Sequence, residues 1–421
     1  MKILIFSYYL PHNDIDQYTL RIHLKTLSQD NEIILVCGVR KGEEGLLEDT
    51  RKYCAKVYAV KLDLPNLSWR LKDISAAFLL RGTMNCLRFL PPAKLPWDRL
   101  LIMPLFFFFR KELSDRLKEA FQREKPDLVH FHKIITSAHR EDIPRHVPSV
   151  FFDDDAISRL FYASMIAEKS FPAKAYYLIR YLGAKKWEKL ILPSFKKVVI
   201  LSENDRKWLT GINPFLSNVE PIHYVVDTEL FKPAPVTEDF PSVIFFGTLS
   251  LSYNREAAEY FAGAILPLIR KEIPQLRFYI VGPDPSLKIR SLSKNPLNKV
   301  VSKVTGHAED LRGHIAKSAV CIVPLNKTVG VKSRILIAMS MAKTVVATSA
   351  AAQGVEGLKD GENIIIADTP SLFAEKVVYL IRNREVNNGI GVKARELIIR
   401  EYCSRRWKEQ WETIYRSLIK T

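Results

Sequence analysis

The residues with the clearest chemical potential lie in the second half of the chain, where a glycine precedes two basic side chains. Residues 329–339 read VGVKSRILIAM, so Gly330 is followed by Lys332 and Arg334 in a helix predicted over residues 332–341. The unpaired N–H groups at a helix start, together with a nearby guanidinium, bind anions well. The pattern therefore predicts that Gly330 and Arg334 bind a phosphate group. The alternative is that Arg334 is an ordinary solvated helix residue.

Two further glycine segments precede this one. Residues 245–249 read FFGTL, so Gly247 and Thr248 follow a predicted strand at a point where backbone N–H groups can hold a phosphate. Residues 304–311 read VTGHAEDL and contain Gly306 and His307. A glycine after a strand is common in α/β proteins, so each segment is informative only through the order in which all three occur.

Two histidines end a predicted strand in the first half of the chain. Residues 126–132 read PDLVHFH, with His130 at the end of that strand and His132 two residues later. A histidine at a strand end can bind a ligand, and it can equally serve only to cap the strand. Both interpretations remain open for this pair.

Three adjacent carboxylates follow the next apolar run. Residues 150–158 read VFFDDDAIS and include Asp153, Asp155 and Ser158. Carboxylates on such a loop either face a cleft or form a solvated turn. No other ligands of matching spacing lie nearby, so we predict that these carboxylates bind no metal ion.

These residues need a scaffold of parallel strands and helices. Short apolar runs alternate with longer helical patterns, which is typical of layered α/β domains. A proline-rich stretch at residues 231–241 interrupts the pattern and predicts a linker. The strands are predicted at residues 2–8, 33–37, 57–60, 127–130 and 198–201 in the first half, and at 242–246, 277–281, 319–323, 344–347 and 364–367 in the second.

Two further segments of the sequence have helical or amphipathic character. Residues 392–421 place Trp407, Trp411 and Tyr415 on one face of a C-terminal helix. Residues 66–110 are rich in leucine, phenylalanine and arginine, and they indicate either helices of the first domain or an amphipathic segment facing a membrane.

Composition narrows the class of protein. The 421 residues suffice for two domains of about 200 residues each. A formal net charge of +17 favours an anionic partner such as a phosphate-rich small molecule or an acidic lipid surface, with a merely soluble basic surface as the alternative. No dedicated nucleic-acid-binding motif occurs, so no nucleic-acid partner is predicted.

The cysteines and the apolar runs indicate where in the cell the protein is expected. The five cysteines are scattered and none forms a C-x-x-C pair, which indicates a reducing cytosol. No run reaches the roughly 20 apolar residues of a spanning helix, so we expect a cytoplasmic protein that does not cross a membrane but can attach to its inner face.

The ordered glycine segments resemble family 4 of the GT-B glycosyltransferases, and more closely its branch in bacterial capsule and exopolysaccharide synthesis. The similarity runs from residue 243 to about residue 380. The matching residues are Gly247, Asn254, Gly282, Gly306, Asp310, Arg312, Pro324, Gly330, Arg334, Ala338, Met339, Val345 and Val346.

The resemblance implies an α/β architecture of the GT-B type. Two Rossmann-like domains would face each other across a cleft, and a C-terminal helix would cross back to the first domain. The implied boundaries are residues 1–230 for an acceptor-side domain, 231–241 for the linker, 242–400 for a nucleotide-sugar-binding domain and 401–421 for the crossover helix.

The resemblance also assigns roles to residues. The diphosphate would be bound by Gly247, Thr248, Arg255, Gly330 and Arg334. The nucleobase and ribose would lie near Gly306, His307 and Ile337. His130, His132 and Asp155 would act at the reaction centre by positioning the acceptor, with Asp16, Asp153 and Ser158 on the acceptor side.

The implied reaction is transfer of a hexose from a nucleoside diphosphate sugar to a glycan or lipid-linked acceptor in cell-envelope polysaccharide synthesis. Retention of anomeric configuration is implied, with no cofactor and no metal ion.

Three departures from the family pattern open an alternative. Residues 13–17 lack the glycine pair of the first loop, Ile337 replaces a glutamate that accepts hydrogen bonds from ribose, and residues 224–227 read YVVD in place of NGVD. These changes fit either an active transferase with an altered donor pocket or a catalytically degenerate GT-B protein that acts as a binding or partner subunit.

Overall fold

The computed structural model describes residues 1–11, 15–62, 110–168, 170–249, 251–301, 308–326 and 330–419, without the side chains of residues 15–17 and 308–310. The segment predicted as helical or membrane-facing, residues 66–110, lies outside the described residues except for Arg110. Gly306 and His307 also lie outside them.

The first half of the chain builds a seven-stranded parallel sheet in the order β3-β2-β1-β4-β5-β6-β7. The strands are β1 Lys2–Ser7, β2 Glu32–Val39, β3 Lys56–Lys61, β4 Leu128–His132, β5 Ser149–Asp153, β6 Lys197–Ile200 and β7 Val219–Pro221. The helices are α1 Ile15–Leu27, α2 Glu44–Arg51, α3 Lys111–Glu124, α4 Ile157–Ala167, α5 Phe171–Ile191 and α6 Glu203–Ile212, with 3-10 turns at Ile134–Asp142 and Leu192–Ser194.

The second half repeats the design with a six-stranded parallel sheet in the order β10-β9-β8-β11-β12-β13. The strands are β8 Ser242–Phe246, β9 Arg277–Val281, β10 Asn298–Val301, β11 Val320–Val323, β12 Val345–Ala347 and β13 Ile365–Ile366. The helices are α7 Ser252–Tyr260, α8 Leu266–Glu272, α9 Leu287–Ser291, α10 Ala308–Lys317, α11 Ser333–Ser340, α12 Ser349–Ala352, α13 Pro370–Arg382, α14 Arg384–Glu401 and α15 Ser404–Ile419, with a π-helical turn at Phe261–Ile265 and a 3-10 turn at Leu292–Lys294.

Burial explains why the central strands are apolar throughout. Helices cover both faces of a parallel sheet, so a central strand has no solvent-facing side. Every residue of β4 and β8 is buried accordingly. In each sheet the order reverses beside the first strand, and such a reversal opens a crevice at the carboxyl ends of the strands.

The last helix returns to the first domain. Trp411 and Tyr415 of α15 pack against His23 of α1 and His130 of β4. The predicted architecture of two α/β domains with parallel sheets and a C-terminal crossover helix is confirmed. No helix in the described part of the chain is both long and apolar enough to span a bilayer.

Candidate functional site

Arg334 is the centre of a polar cluster at the carboxyl end of β8. The side chain lies on α11, is 8% exposed, and its guanidinium carbon stands 5.0 Å from the ring centroid of Phe245. Nη2 donates a hydrogen bond of 2.6 Å to Asn254 Oδ1, and Asn254 Nδ2 donates in turn to the carbonyl of Thr248 at 2.8 Å. These contacts fix the plane of the guanidinium before any ligand is present.

One guanidinium nitrogen has no partner among the described residues. Nη1 of Arg334 is buried and makes no hydrogen bond within that part of the chain. Burial lowers the pKa of Arg334 to about 10, so the group remains cationic at neutral pH. A buried, charged and unsatisfied donor is costly unless a ligand completes it, and an anion is the partner of matching charge.

Gly247 makes room for this guanidinium. Its φ of +146° suits glycine, and a Cβ added there would lie 2.6 Å from Arg334 Nη2. Its own N–H donates to the carbonyl of Val281 at 3.0 Å, so that N–H is not free for a phosphate as the sequence pattern suggested. Gly247 therefore contributes to the site because its lack of a side chain leaves space for the Arg334 guanidinium.

Gly330 meets the first domain across the cleft. Its φ is +73°, and a Cβ added there would lie 1.8 Å from Oδ1 of Asp155. Only glycine lets the Asp155 carboxylate approach the chain this closely. The structure thus places a residue predicted to act at the reaction centre directly against a residue predicted to bind the diphosphate.

Lys332 and Asp155 perturb each other across this contact. Burial lowers the pKa of Lys332 to about 8, while the charge of Asp155 opposes that shift and the charge of Arg334 adds to it. Burial raises the pKa of Asp155 to about 6, with a further contribution from Asp205 and an opposing one from Lys332. Perturbed titratable groups facing one another in a cleft are typical of functional sites.

Asp153 and Ser158 are engaged by the protein itself. The Asp153 carboxylate accepts from the N–H groups of Ile134 and Asp154 at 2.7 and 2.8 Å, and burial raises its pKa to about 7. Ser158 is fully buried, and its Oγ accepts from Trp208 Nε1 at 2.8 Å. Their predicted acceptor-side roles remain predictions.

The two histidines of β4 lie beneath the last helix. His130 is fully buried, its Nδ1 is 2.7 Å from Tyr415 Oη, and burial lowers its pKa to about 3. His132 is also buried and stacks on His130 with ring centroids 5.7 Å apart. Neither of its ring nitrogens has a hydrogen-bond partner within the described ranges. In this conformation His130 contributes to packing and presents no exposed surface, so the role of both at the reaction centre stays a prediction.

The other residues predicted for the site differ in their burial and in whether the structure describes their side chains. Arg255 is half-buried on α7, close in sequence to Asn254. Ile337 is 8% exposed and packs in the apolar core of the second domain, where it cannot accept a hydrogen bond. The backbone of Asp16 belongs to α1, but its side chain is not among those described.

Some residues of the cluster were not predicted to have a role. Asn254 belonged to the matching pattern, yet only the structure shows that it orients Arg334. Glu188 accepts the N–H of Ser158 at 3.1 Å, and burial raises its pKa to about 7. Its surroundings in sequence, AKKWEKL, resemble any solvated helix and give no signal. Within the described ranges no group of three or more His, Cys, Asp or Glu side chains could hold a metal ion.

The chain is similar in sequence to one protein family and to one curated protein. Residues 240–383 match the model of the family described as "Glycosyl transferases group 1". A protein of Klebsiella pneumoniae described as "Uncharacterized 44.6 kDa protein in cps region" is 26% identical over 249 residues, which is 57% of this chain. That stretch spans only 61% of the length of the Klebsiella protein.

The fold recurs in solved structures. Sucrose-phosphate synthase from Thermosynechococcus elongatus has a TM-score of 0.64 at 14% identity, covering 100% of this chain and 99% of the synthase. Anabaena HepE in complex with UDP and glucose has a TM-score of 0.64 at 13% identity, covering 99% and 100%. TarM has a TM-score of 0.63 at 11% identity, covering 98% of each chain.

The fold is therefore GT-B, with two Rossmann-like domains facing each other across a cleft. The family match covers all six strands of the second sheet.

Proposed function

We propose that this protein transfers a hexose from a nucleoside diphosphate sugar to a glycan or lipid-linked acceptor in cell-envelope polysaccharide synthesis, with retention of anomeric configuration. The observation that carries the proposal is the buried cationic Arg334. Asn254 fixes its orientation, and its Nη1 finds no hydrogen-bond partner in the part of the chain that the structure describes. The family match lies in the same domain, and Anabaena HepE was solved with UDP and glucose. The relative from the cps region of Klebsiella pneumoniae supports the polysaccharide assignment.

The cluster suits departure of a nucleoside diphosphate. In the proposed reaction the bond from the anomeric carbon to the phosphate oxygen breaks, and its electron pair leaves with the diphosphate. Arg334 and Lys332 offset the charge that develops there, and Gly330 lets the backbone approach it. The acceptor hydroxyl forms the new bond on the same face and passes its proton to an oxygen of the leaving diphosphate.

The remaining predicted residues complete this proposal. Gly306 and His307 would contact the nucleobase, and Arg255 and Thr248 would support the diphosphate. His132 and Asp155 would position the acceptor. The basic protein would work at the inner face of the membrane, where an acidic leaflet attracts cationic residues by about 1 kcal/mol each. TarM of S. aureus was solved with fondaparinux, α-GlcNAc-glycerol and UDP, which supports a glycan acceptor here.

Calorimetric titration with UDP and with GDP tests the donor site. We expect one of them to bind, and we expect Arg334→Ala to weaken binding by about 10- to 100-fold, because a charge-assisted hydrogen bond is lost. Arg382→Ala is the matched control, since Arg382 is an exposed arginine of the same domain that pairs with Glu272. Absence of binding for both nucleotides, or equal affinities of the wild type and Arg334→Ala, would contradict the proposal.

A second candidate function follows from Ile337. The side chain is packed in the core and offers no acceptor for ribose hydroxyls, which favours a catalytically degenerate GT-B protein acting as a binding or partner subunit. A panel of nucleotide sugars separates the two functions. Hydrolysis or transfer with at least one sugar supports the transferase, whereas UDP binding without turnover of any supports the partner subunit.

A further inference from the structure

Helices α4 and α5 form a hairpin that leaves the body of the first domain. From Arg159 to Leu182 no described residue is buried. The buried positions lie at the base of the hairpin. They include Trp187 of α5 and Ser158 of α4, whose N–H donates to Glu188 of α5. Tyr162 and Tyr181 contact Trp208 of α6, but the outer part of the hairpin contributes no buried residue to the domain.

The outer part carries large apolar side chains in water. Phe171, the first residue of α5, is 83% exposed, and Ile166 near the end of α4 is 56% exposed. The other exposed apolar residues of the hairpin are Tyr162, Leu178, Ile179, Leu182 and Leu190. Single exposed apolar residues are ordinary, but a cluster of this kind marks a surface that binds something.

Basic residues share this surface. On α5, Phe171, Leu178 and Leu182 recur at helical spacing, which places them on one face of the helix. Lys174, Lys185 and Lys189 continue the same spacing and lie on that face. The hairpin has two acidic residues, Glu168 and the buried Glu188. The face is therefore apolar and cationic.

The aromatic residues of the hairpin are of the kind found where a protein meets the boundary between water and lipid. Tyr162 and Tyr181 pack between the helices with ring centroids 5.2 Å apart, and Arg180 lies 4.8 Å from the ring centroid of Phe161. Tyr176 and Tyr177 lie in the same turn of α5. Tyrosine rings with nearby basic side chains are enriched where a protein meets a bilayer surface.

We propose that the α4–α5 hairpin docks on the surface of an anionic lipid bilayer, with Phe171 and Leu178 inserted among the acyl chains and Lys174 and Lys189 against the headgroups. Neither helix is apolar and long enough to cross a bilayer, so the hairpin lies on it. An acidic surface complements the charge of the face, whereas an apolar protein partner would not.

Docking would place the cleft beside the membrane. Asp155 precedes α4 by two residues, and Glu188 on α5 holds the N–H of Ser158. Delivery of a lipid-linked acceptor to that cleft rests on the proposed function, but the docking itself does not. The two can therefore be tested apart.

Flotation of the full chain with vesicles tests the proposal. We expect binding to phosphatidylcholine vesicles containing about 30% phosphatidylglycerol and much weaker binding to phosphatidylcholine alone. The double variant Phe171→Ser/Leu178→Ser and the double variant Lys174→Glu/Lys189→Glu should each bind the anionic vesicles about tenfold or more weakly. All four residues are exposed, so the thermal unfolding of both variants should match the wild type.

Leu287→Ser is the matched control, because Leu287 is 87% exposed but lies in the second domain. It should bind vesicles as the wild type does. Unchanged UDP affinity in the hairpin variants would separate loss of docking from loss of the donor site. Equal vesicle binding by the wild type and both double variants would overturn the proposal. So would a chain that ignores vesicles but forms a dimer that Phe171→Ser/Leu178→Ser dissociates.

Discussion

Three carboxyl groups beside the cleft bind protons more tightly than carboxyls in water do. Burial raises the pKa of Asp153 to about 7, that of Asp155 to about 6 and that of Glu188 to about 7. Each group therefore changes charge near neutral pH. A site with such groups is sensitive to pH in both stability and ligand binding.

Glu188 gives the cleanest test of this property. Its folded pKa lies above its unfolded value, so its contribution to stability is present below about pH 4 and declines as pH rises to about 7, where the buried group ionises. We expect Glu188→Gln to remove this decline, making the variant more stable than the wild type by up to about 3 kcal/mol at pH 8 relative to pH 5. Urea unfolding at the two pH values measures the difference.

Glu141→Gln serves as the control, because Glu141 is exposed and pairs with Arg145 on the surface. Its stability relative to the wild type should be the same at both pH values. A Glu188→Gln variant whose stability follows the wild type from pH 5 to pH 8 would show that the carboxyl ionises normally.

Site residues could be predicted from the sequence where they lie close together along the chain. Gly330, Lys332 and Arg334 lie within five positions, so the pattern identified a basic cluster that the structure shows with a pKa of Arg334 lowered by burial. The contact of Gly247 with Arg334 joins distant segments and was not visible in sequence. For the same reason Glu188 was missed, since its burial depends on the packing of α5 against α4.

At the scale of elements, the last helix shows how the two halves are tied together. Tyr415 on α15 lies 2.8 Å from His23 Nε2 and 2.7 Å from His130 Nδ1, so its hydroxyl donates to one ring nitrogen and accepts from the other. All three groups are fully or almost fully buried. The bridge thus joins α15 to α1 and β4.

Tyr415→Phe would leave one buried donor and one buried acceptor without partners. We expect it to lower the free energy of unfolding of the first domain by about 3 kcal/mol, because each unsatisfied group costs about 1–3 kcal/mol. Trp407 and Trp411 lie beside the bridge, so tryptophan fluorescence during urea unfolding reports the change. Thr413→Ala, on the exposed side of the same helix, is the control and should have the free energy of unfolding of the wild type. If Tyr415→Phe also had the wild-type value, the bridge would contribute nothing to stability.

Strands that are buried in the middle of a sheet were easier to predict from the sequence than strands at its edge. The central strands were found from their apolar runs, and β8 and β9 were predicted with the observed bounds. Strands β7 and β10 were not predicted, because both are short edge strands with the sequences VEP and NKVV. Between α7 and α8 the chain forms a π-helical turn at Phe261–Ile265, shortly before Pro267, a residue that removes a backbone donor.

At the scale of the whole molecule, the order of the glycine segments predicted a GT-B architecture, which the two sheets confirm. The distance between the domains could not be predicted, because no local pattern encodes it. In the structure the cleft is narrow enough for Asp155 of the first domain to reach Gly330 of the second. A carboxylate therefore lies at the position proposed for the donor diphosphate.

This placement makes Asp155 a competitor of the diphosphate. At pH 7.5 the Asp155 carboxyl, with a pKa of about 6, is ionised and repels an incoming phosphate. We expect Asp155→Asn to tighten UDP binding on the order of tenfold at that pH, because one negative charge within a few ångströms is removed from a partly buried site. The gain over the wild type should shrink toward pH 5, where the wild-type carboxyl is protonated. Calorimetry at both pH values measures it.

Asp154→Asn separates this effect from a general loss of acidity in the loop. Asp154 forms an ion pair with Lys133 within the first domain, whereas Asp155 faces Gly330 of the second. Asp154→Asn should therefore leave UDP affinity close to that of the wild type. If Asp155→Asn instead weakened UDP binding, or if both variants tightened it equally at every pH, the diphosphate would not share the position of the Asp155 carboxylate. The donor would then have to bind with the two domains further apart than they are here.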